Sequence, residues 1–265
     1  MSPDQEKFAI TNQPTDPTSK SRKSDHIQMA FEAQVSYKNI DPRFYYEPLL
    51  SGHPYDKKQQ IFTFLDKQFT VPFWVSSMTG GTKYAGKINK NLAKAAGEYG
   101  FGMGLGSCRA LLHSKETFDD FNVRKYIGDQ ALYANLGIAQ VEIIAENNNW
   151  DLITEMLKKL QADGLIIHVN PLQEWLQPEG DRFLKPPIET IKHALDHIKT
   201  PIIVKEVGQG MGPLSLHALL ELPLKAIEFA ASGGTNFATI ELFRASEERK
   251  SLLSSATRLG HTAEE

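Results

Sequence analysis

Residues 165–181 read LIIHVNPLQEWLQPEGD, a short apolar run that ends in a dense cluster of polar side chains. Five more segments repeat this plan with different chemistry: WVSSMTGG (74–81), MGLGSCR (103–109), LYANLG (132–137), IIVKEVGQGMG (202–212) and IEFAASGGTNF (227–237). Stretches with helical periodicity separate most of them, for example residues 151–161 and 188–198. Strands that alternate with helices predict a parallel sheet buried on both faces, which explains the continuous apolar runs.

Glycine and polar residues follow every predicted strand, and this placement is typical of the active face of a (β/α)8 TIM barrel. A closed barrel needs eight strands, whereas the sequence shows six apolar runs. The sequence therefore predicts an α/β TIM barrel whose last two βα units are missing from this chain. Residues 1–21 are rich in Pro, Thr, Ser, Asp and Lys and are predicted to be a disordered tail. Residues 22–265 are predicted to form a single domain, incomplete at its C-terminus.

Composition sets limits on function. The chain has 265 residues, 41% of them hydrophobic and 23% charged, which is enough to bury one large core. Its net charge of −3 gives no general attraction to nucleic acid or to an anionic membrane, so neither is expected as a partner. The single cysteine, Cys108, excludes an intramolecular disulfide, and the apolar runs are too short to span a membrane. We expect a cytoplasmic enzyme.

The segment after the fourth apolar run carries the strongest chemical signal. Its polar side chains fall within fourteen positions: His168, Asn170, Gln173, Glu174, Glu179 and Asp181. A polar side chain at a buried strand end is costly unless it has a partner or a ligand. One carboxylate such as Glu174 suits Mg²⁺ whose other ligands are water and substrate phosphate oxygens. The alternative is a hydrated acidic loop in which His168 is a satisfied barrel histidine.

The three earlier segments offer groups for a flat, phosphorylated ligand. The glycines of residues 76–81 allow the backbone to approach a ring closely. Residues 104–109 provide a backbone donor, a hydroxyl and a guanidinium for a phosphate. The amide of Asn135 can both donate to and accept from the edge of a heterocycle. Each segment read alone is equally compatible with an ordinary turn or with tight barrel packing.

The last two segments add charge and backbone donors. Lys205 and Glu206 end the fifth run, where a buried lysine needs a counter-charge or an anionic partner such as a reduced cofactor. A simple Lys–Glu ion pair at the rim is the alternative. Residues 232–237 offer consecutive N–H groups and a hydroxyl for a phosphate or a ring carbonyl. Glu241 follows four residues after Phe237 and can reach back towards the site.

Taken in this order, the segments resemble the type 2 isopentenyl-diphosphate isomerase family, which depends on FMN. The matching pieces run from Arg22 to Phe237: RKSDH, SSMTGG, GLGSCR, ANLG, HVNPLQE, VKEVGQGMG and GGTNF. The resemblance implies a (β/α)8 barrel that interconverts isopentenyl and dimethylallyl diphosphate by acid–base chemistry on reduced FMN. It also implies Mg²⁺, NADPH or another reductant, and a homotetramer or homo-octamer.

The resemblance also assigns roles to residues. Seven residues should line the flavin: Ser77, Met78, Thr79, Ser107, Asn135, Lys205 and Thr235. Eight should hold the substrate: Arg22, Lys23, Ser107, Cys108, Arg109, His168, Asn170 and Gln173. Glu174 matches the Mg²⁺ ligand. The residues expected to take part in catalysis are Gln173, His168 and Lys205, with Gln173 orienting the alkene and Lys205 setting the protonation of the flavin.

Two departures from the family pattern matter. Ala230 stands where many relatives have a serine, and the later glycine-rich segments that hold the flavin phosphate are not in this sequence. We therefore expect poor FMN binding by the chain as it stands. Two other readings stay open. One is an FMN-dependent α-hydroxy-acid oxidoreductase, which would require a histidine base and arginines in the late loops. The other is an inactive truncated chain.

Overall fold

The computed structural model describes residues 18–42, 45–50, 52, 61–114 and 116–265. The chain divides into two units, Met1–Tyr55 and Asp56–Glu265. Among the described residues of the first unit, helix α1 spans Ser19–Met29, so it begins within the segment predicted to be a tail. The rest of that predicted tail, residues 1–17, lies outside the described residues. The single domain expected for residues 22–265 stays a prediction.

Eight strands lie within the described part of the second unit. They are β1 (Phe62–Phe64), β2 (Lys67–Phe69), β3 (Trp74–Val75), β4 (Gly102–Gly104), β5 (Leu132–Gly137), β6 (Gly164–His168), β7 (Ile202–Lys205) and β8 (Ala226–Glu228). Strands β1 and β2 form an antiparallel hairpin. Strands β3 to β8 form one parallel sheet in chain order, as the six apolar runs predict. This order and direction are those of a TIM barrel, and the predicted fold class is confirmed.

Helices follow most of the sheet strands. They are α2 (Lys83–Tyr99), α3 (Phe118–Phe121), α4 (Arg124–Ile127), α5 (Ile138–Glu146), α6 (Asp151–Leu160), α7 (Pro171–Leu176), α8 (Pro187–His197), α9 (Pro213–Leu220), α10 (Phe237–Arg244) and α11 (Glu247–Leu253). The two predicted from periodicity are present as α6 and α8. Within the described part of the chain, no helix combines the length and apolar character that crossing a membrane requires.

The two faces of the sheet bury separate apolar clusters, because successive strand residues point to opposite faces. On one face Leu165, Ile167 and Val204 pack among residues of the surrounding helices. On the other face Tyr133 and Ile166 pack with Ile203. Two residues of the hairpin segment, Leu65 and Phe69, belong to this second cluster. The hairpin therefore covers the inner face towards the amino ends of the strands, and the carboxyl ends are left for a ligand.

Towards the carboxyl ends of the strands, the inner face of the sheet changes from apolar to polar over two residues. Tyr133, Ile166 and Ile203 lie in the apolar cluster, and two residues further along each strand come Asn135, His168 and Lys205. The register continues this polar row, since His168 pairs with Lys205 and Lys205 pairs with Glu228. Side chains of register partners point to the same face. The sheet therefore presents a row of polar groups at the carboxyl edge.

Candidate active site

A cavity of about 240 Å³ lies at the carboxyl ends of the parallel strands. Residues from six separate segments line it: Ser77, Met78, Thr79, Gly80, Ser107, Asn135, His168, Gln173, Lys205, Val207 and Phe237. Six of the seven residues expected to line a flavin are among them, together with all three expected to act in catalysis. The structure thus brings together residues that are up to 160 positions apart, from Ser77 to Phe237.

His168, which is partly buried, and Asn135, which is buried, form a hydrogen-bonded pair on the wall of this cavity. The imidazole Nδ1 lies 2.7 Å from the Asn135 side-chain oxygen. An amide oxygen only accepts, so Nδ1 carries the proton and Nε2 is the basic nitrogen of the neutral ring. Burial, and secondarily the charge of Lys205, lowers the pKa of His168 from 6.5 to about 4. His168 is therefore a neutral imidazole at neutral pH, and the amide of Asn135 is fixed in orientation.

Lys205 is 5% exposed, and its ammonium group has its ion-pair partner on the neighbouring strand. Nζ donates to the backbone oxygen of Glu206 at 2.6 Å and lies 3.6 Å from Glu228 Oε1. The carboxylate of Glu206 points elsewhere and accepts from the backbone amides of residues 208–210. The rim ion pair that the sequence suggested as an alternative is present, but it joins Lys205 to Glu228.

Gln173 is held in one orientation by its neighbours. Its Nε2 donates to Glu241 Oε1 at 3.2 Å, and its Oε1 accepts from Asn170 Nδ2 at 3.2 Å. The carboxylate of Glu241 also binds Arg244 at 2.5 Å. Glu241, which follows the sixth run, thus reaches back to the site. With both ends of its amide engaged, Gln173 suits the orienting role expected of it.

Glu174 is a partly buried carboxylate with amide partners only. Oε1 accepts from Asn170 Nδ2 at 3.0 Å, and Oε2 accepts from the backbone amide of Asp181 at 2.7 Å. No Lys or Arg forms an ion pair with it in the described part of the chain. Its negative charge is therefore uncompensated, which fits one ligand of a divalent cation. The described residues contain no cluster of three or more acidic, His or Cys side chains that could hold a metal unaided.

Several predicted site residues of the second unit do not line this cavity. Cys108 is fully buried in the main apolar cluster, its Sγ faces the backbone oxygen of Gly106, and burial raises the pKa of its thiol to about 12. Its side chain does not line the cavity, so the substrate contact predicted for Cys108 stays a prediction. Arg109 lies outside the cavity and pairs with Asp181 at 2.5 Å. Thr235 is exposed and does not line the cavity. Arg22 and Lys23 lie in α1 of the first unit.

Sequence reasoning missed the role of Glu228. This residue ends β8, its Oε1 also accepts from the hydroxyl of Ser76 after β3, and its buried Oε2 has no partner among the residues that the structure describes. The signal was present in the alternation along β8, because Glu228 occupies the inward position at the end of an apolar strand.

The cavity has features that fit a bound ring. The hydroxyl of Ser77 is buried and has no partner among the described residues. A buried hydroxyl without a hydrogen bond costs about 1–3 kcal/mol, and a ligand could remove this cost. A Cβ at Gly104 would lie 2.5 Å from Ile166 Cδ1 and 2.8 Å from Ser77 Oγ, so a side chain there would displace these two groups. The donor set of hydroxyls, an amide and an ammonium suits the polar edge of a flavin.

A larger cavity of about 610 Å³ lies among α8, α9 and the segment around His261. Its lining is mainly apolar, with Glu206 and Gln209 as buried polar members. None of the residues predicted to bind flavin, substrate or metal lines it. Size alone favours this cavity, but the convergent polar groups identify the smaller one as the candidate active site.

The parallel strands in chain order, the helices around them and the polar cavity at the carboxyl edge define an α/β protein of the TIM-barrel type. No family model matches the chain. Among solved structures, the old yellow enzyme homologue from Zymomonas mobilis resembles it distantly, with a TM-score of 0.41, 10% identity and coverage of 57% of this chain and 63% of that chain.

Comparison of sequences identifies the family of this chain far more specifically than comparison of structures. The isopentenyl-diphosphate delta-isomerase of Rickettsia felis is 35% identical over 238 residues, which cover 89% of this chain and 68% of the relative. The enzyme of the same name from a Nostoc species is 36% identical over 232 residues, covering 85% of this chain and 65% of the relative. The chain thus spans about two thirds of the length of these relatives. It belongs to the isopentenyl-diphosphate delta-isomerase family.

Proposed function

We propose that this protein is a type 2 isopentenyl-diphosphate isomerase that works with reduced FMN and Mg²⁺. One observation carries the proposal: residues named for the flavin and for catalysis from separate sequence segments meet in one cavity of about 240 Å³ at the carboxyl edge of a parallel sheet. Membership of the isomerase family supplies the reaction. Bound at this cavity, reduced FMN would supply the proton donor and acceptor for moving the double bond.

The residues of the cavity then have distinct tasks. Ser77, Ser107 and Asn135 offer hydrogen bonds to the polar edge of the flavin, and His168 fixes the Asn135 amide. The ammonium of Lys205 places positive charge next to the site, which favours an anionic group bound there. Asn135, His168 and Lys205 are held by strand ends, so little reorganisation of these three groups accompanies the reaction.

The substrate end of the site is the α7 segment. Gln173, oriented by Glu241, faces the cavity and would orient the alkene. Glu174 retains an uncompensated charge and would bind Mg²⁺, whose remaining ligands would be diphosphate oxygens and water. Arg109 would bind the diphosphate, and the substrate-binding role of Arg22 and Lys23 stays a prediction. NADPH as reductant, a cytoplasmic location and a homotetramer or homo-octamer stay predictions.

The alternative FMN-dependent hydroxy-acid oxidoreductase is less well supported. It needs arginines that grip a carboxylate, and no arginine lines the cavity within the described residues. The experiment that tests the proposal is a titration of the purified chain with FMN, followed by visible absorbance. A shifted flavin spectrum with a saturable end point supports it. No spectral change would support the inactive-chain alternative, and flavin reduction by a hydroxy acid would support the oxidoreductase.

A further inference from the structure

Asp181 connects two residues that the proposed function places on the same diphosphate. Its Oδ2 accepts from Arg109 Nη1 at 2.5 Å, and its backbone amide donates to Glu174 Oε2 at 2.7 Å. The same Oδ2 accepts from Gln140 Nε2 at 2.8 Å. We propose that Asp181 is a positioning residue, which holds Arg109 and Glu174 in one arrangement for a diphosphate chelated to a divalent cation. This inference rests on the proposed function.

The loop that carries Asp181 is fastened to the end of α7. Gly180 packs against the backbone oxygen of Glu174 so closely that a Cβ there would lie 2.0 Å from it. The guanidinium of Arg182 donates to that same oxygen at 2.5 Å and to the backbone oxygen of Trp175 at 3.4 Å. Because Gly180 and Arg182, the two neighbours of Asp181, hold the loop in place, the backbone amide of Asp181 contacts Glu174 while its carboxylate contacts Arg109.

The pair leaves Arg109 able to bind a phosphate. A guanidinium has five N–H donors in a planar fork, and Asp181 uses one nitrogen of the fork. The side chain of Arg109 is 55% exposed, so without Asp181 it would sample many rotamers and lose that freedom on binding. Asp181 fixes the fork before the ligand arrives and leaves its remaining donors free of partners among the described residues.

Asp181 acts on Glu174 in a different way. A backbone amide is neutral, so it fixes one carboxylate oxygen without cancelling its charge. Asn170 does the same for the other oxygen. The carboxylate is thus oriented while keeping the negative charge that a cation requires. The negative charge of the Asp181 carboxylate is balanced by Arg109. The backbone amide of Asp181 therefore orients the metal ligand, Glu174, while its carboxylate orients the phosphate ligand, Arg109.

The test compares Asp181→Ala and Asp181→Asn with the unaltered enzyme, using Glu189→Gln as a control. Glu189 is an exposed acidic residue in the first turn of α8. The readouts are KM and kcat for isopentenyl diphosphate with reduced FMN and Mg²⁺, and calorimetric binding of inorganic pyrophosphate with Mg²⁺. The pyrophosphate titration needs no turnover and so reports on the diphosphate site alone.

We expect Asp181→Ala to raise KM and to weaken pyrophosphate binding, each about tenfold or more, because the charge-assisted hydrogen bond that orients Arg109 is lost. We expect kcat to stay within about twofold, because this hydrogen bond lies outside the reacting centre. Asp181→Asn keeps an acceptor oxygen, so its KM and pyrophosphate affinity should fall between those of Asp181→Ala and the unaltered enzyme. If Asp181→Ala fails to fold, as judged by its melting curve, Asp181→Asn carries the test. Unchanged KM and pyrophosphate affinity in the folded variants, or a loss confined to kcat, would overturn the inference. Failure of the unaltered protein to bind pyrophosphate would overturn the proposed diphosphate site, and the inference with it.

Discussion

The imidazole Nδ1 of His168 lies 2.7 Å from the side-chain oxygen of Asn135, across two neighbouring strands. The contact sets the tautomer of one residue and the amide orientation of the other. Both side chains line the candidate site, so the direction of the hydrogen-bond donors there is decided by a pair inside the protein before any ligand binds. Such preorganisation is what a site for acid–base chemistry requires.

The neutral state of His168 predicts that acid destabilises the fold. Its pKa falls from 6.5 to about 4 on folding, so between these values the unfolded chain binds a proton that the folded chain does not. The free energy of unfolding should therefore decrease as pH falls from about 6.5 towards 4. Urea denaturation across this range should show a shallower dependence for His168→Gln. Replacing the exposed His217 with Gln should leave the slope as it is, and equal slopes for all three proteins would contradict the assignment.

Removing the charge of Glu228 should destabilise the protein, because the buried Lys205 ammonium would lose its counter-ion. We expect Glu228→Gln to lower the free energy of unfolding by about 2 kcal/mol. Glu155→Gln is the matched control, since it breaks an exposed Lys159–Glu155 pair in α6 that is worth less than about 0.5 kcal/mol. Denaturant unfolding measures both. Equal, small effects would mean that Lys205 does not depend on Glu228.

Glu174→Gln should abolish Mg²⁺-dependent isomerisation while leaving flavin content unchanged. The variant keeps an oxygen to accept from Asn170 or from the Asp181 amide, but it loses the charge that binds the cation. Activity should be measured against Mg²⁺ concentration, with the visible spectrum recorded on the same sample. Loss of the flavin spectrum would remove Glu174 from the metal role and place it near the flavin instead.

The thiol of Cys108 should be inert in the folded protein. It is fully buried, and its pKa is raised to about 12, so little thiolate forms at neutral pH and reagents cannot reach it. A thiol-reactive chromogenic disulfide should label no cysteine in native buffer and one in urea, because the chain has a single cysteine. Rapid labelling of the native protein would contradict the burial of Cys108.

The sheet could be predicted from sequence because buried parallel strands carry continuous apolar runs, and each run stops where its strand does. The polar residues at those stops were predicted to meet because carboxyl ends of parallel strands share an edge. The predicted helices at residues 151–161 and 188–198 follow from the periodicity of their buried faces, for example Ile153, Met156 and Leu160 in α6.

The positions of loop side chains are harder to predict from sequence than the strands, for a physical reason. In GLGSCR the backbone after β4 turns so that Ser107 is exposed and Cys108 is buried, and residue type alone does not fix that turn. The partners of Arg109 and Lys205 depend on contacts distant in sequence, with Asp181 and Glu228. The inward direction of Glu228 follows from the alternation along β8, whereas its position beside Lys205 depends on the register of β7 and β8, which periodicity leaves open.

The central claim is that this chain supports isomerisation on reduced flavin. The most direct measurement incubates the purified protein with FMN, a chemical reductant, Mg²⁺ and isopentenyl diphosphate, and follows the products by nuclear magnetic resonance. The account predicts conversion to dimethylallyl diphosphate, dependent on FMN and Mg²⁺ and without stoichiometric consumption of reductant. An unchanged substrate under these conditions, in a folded protein that retains its flavin spectrum, would contradict it.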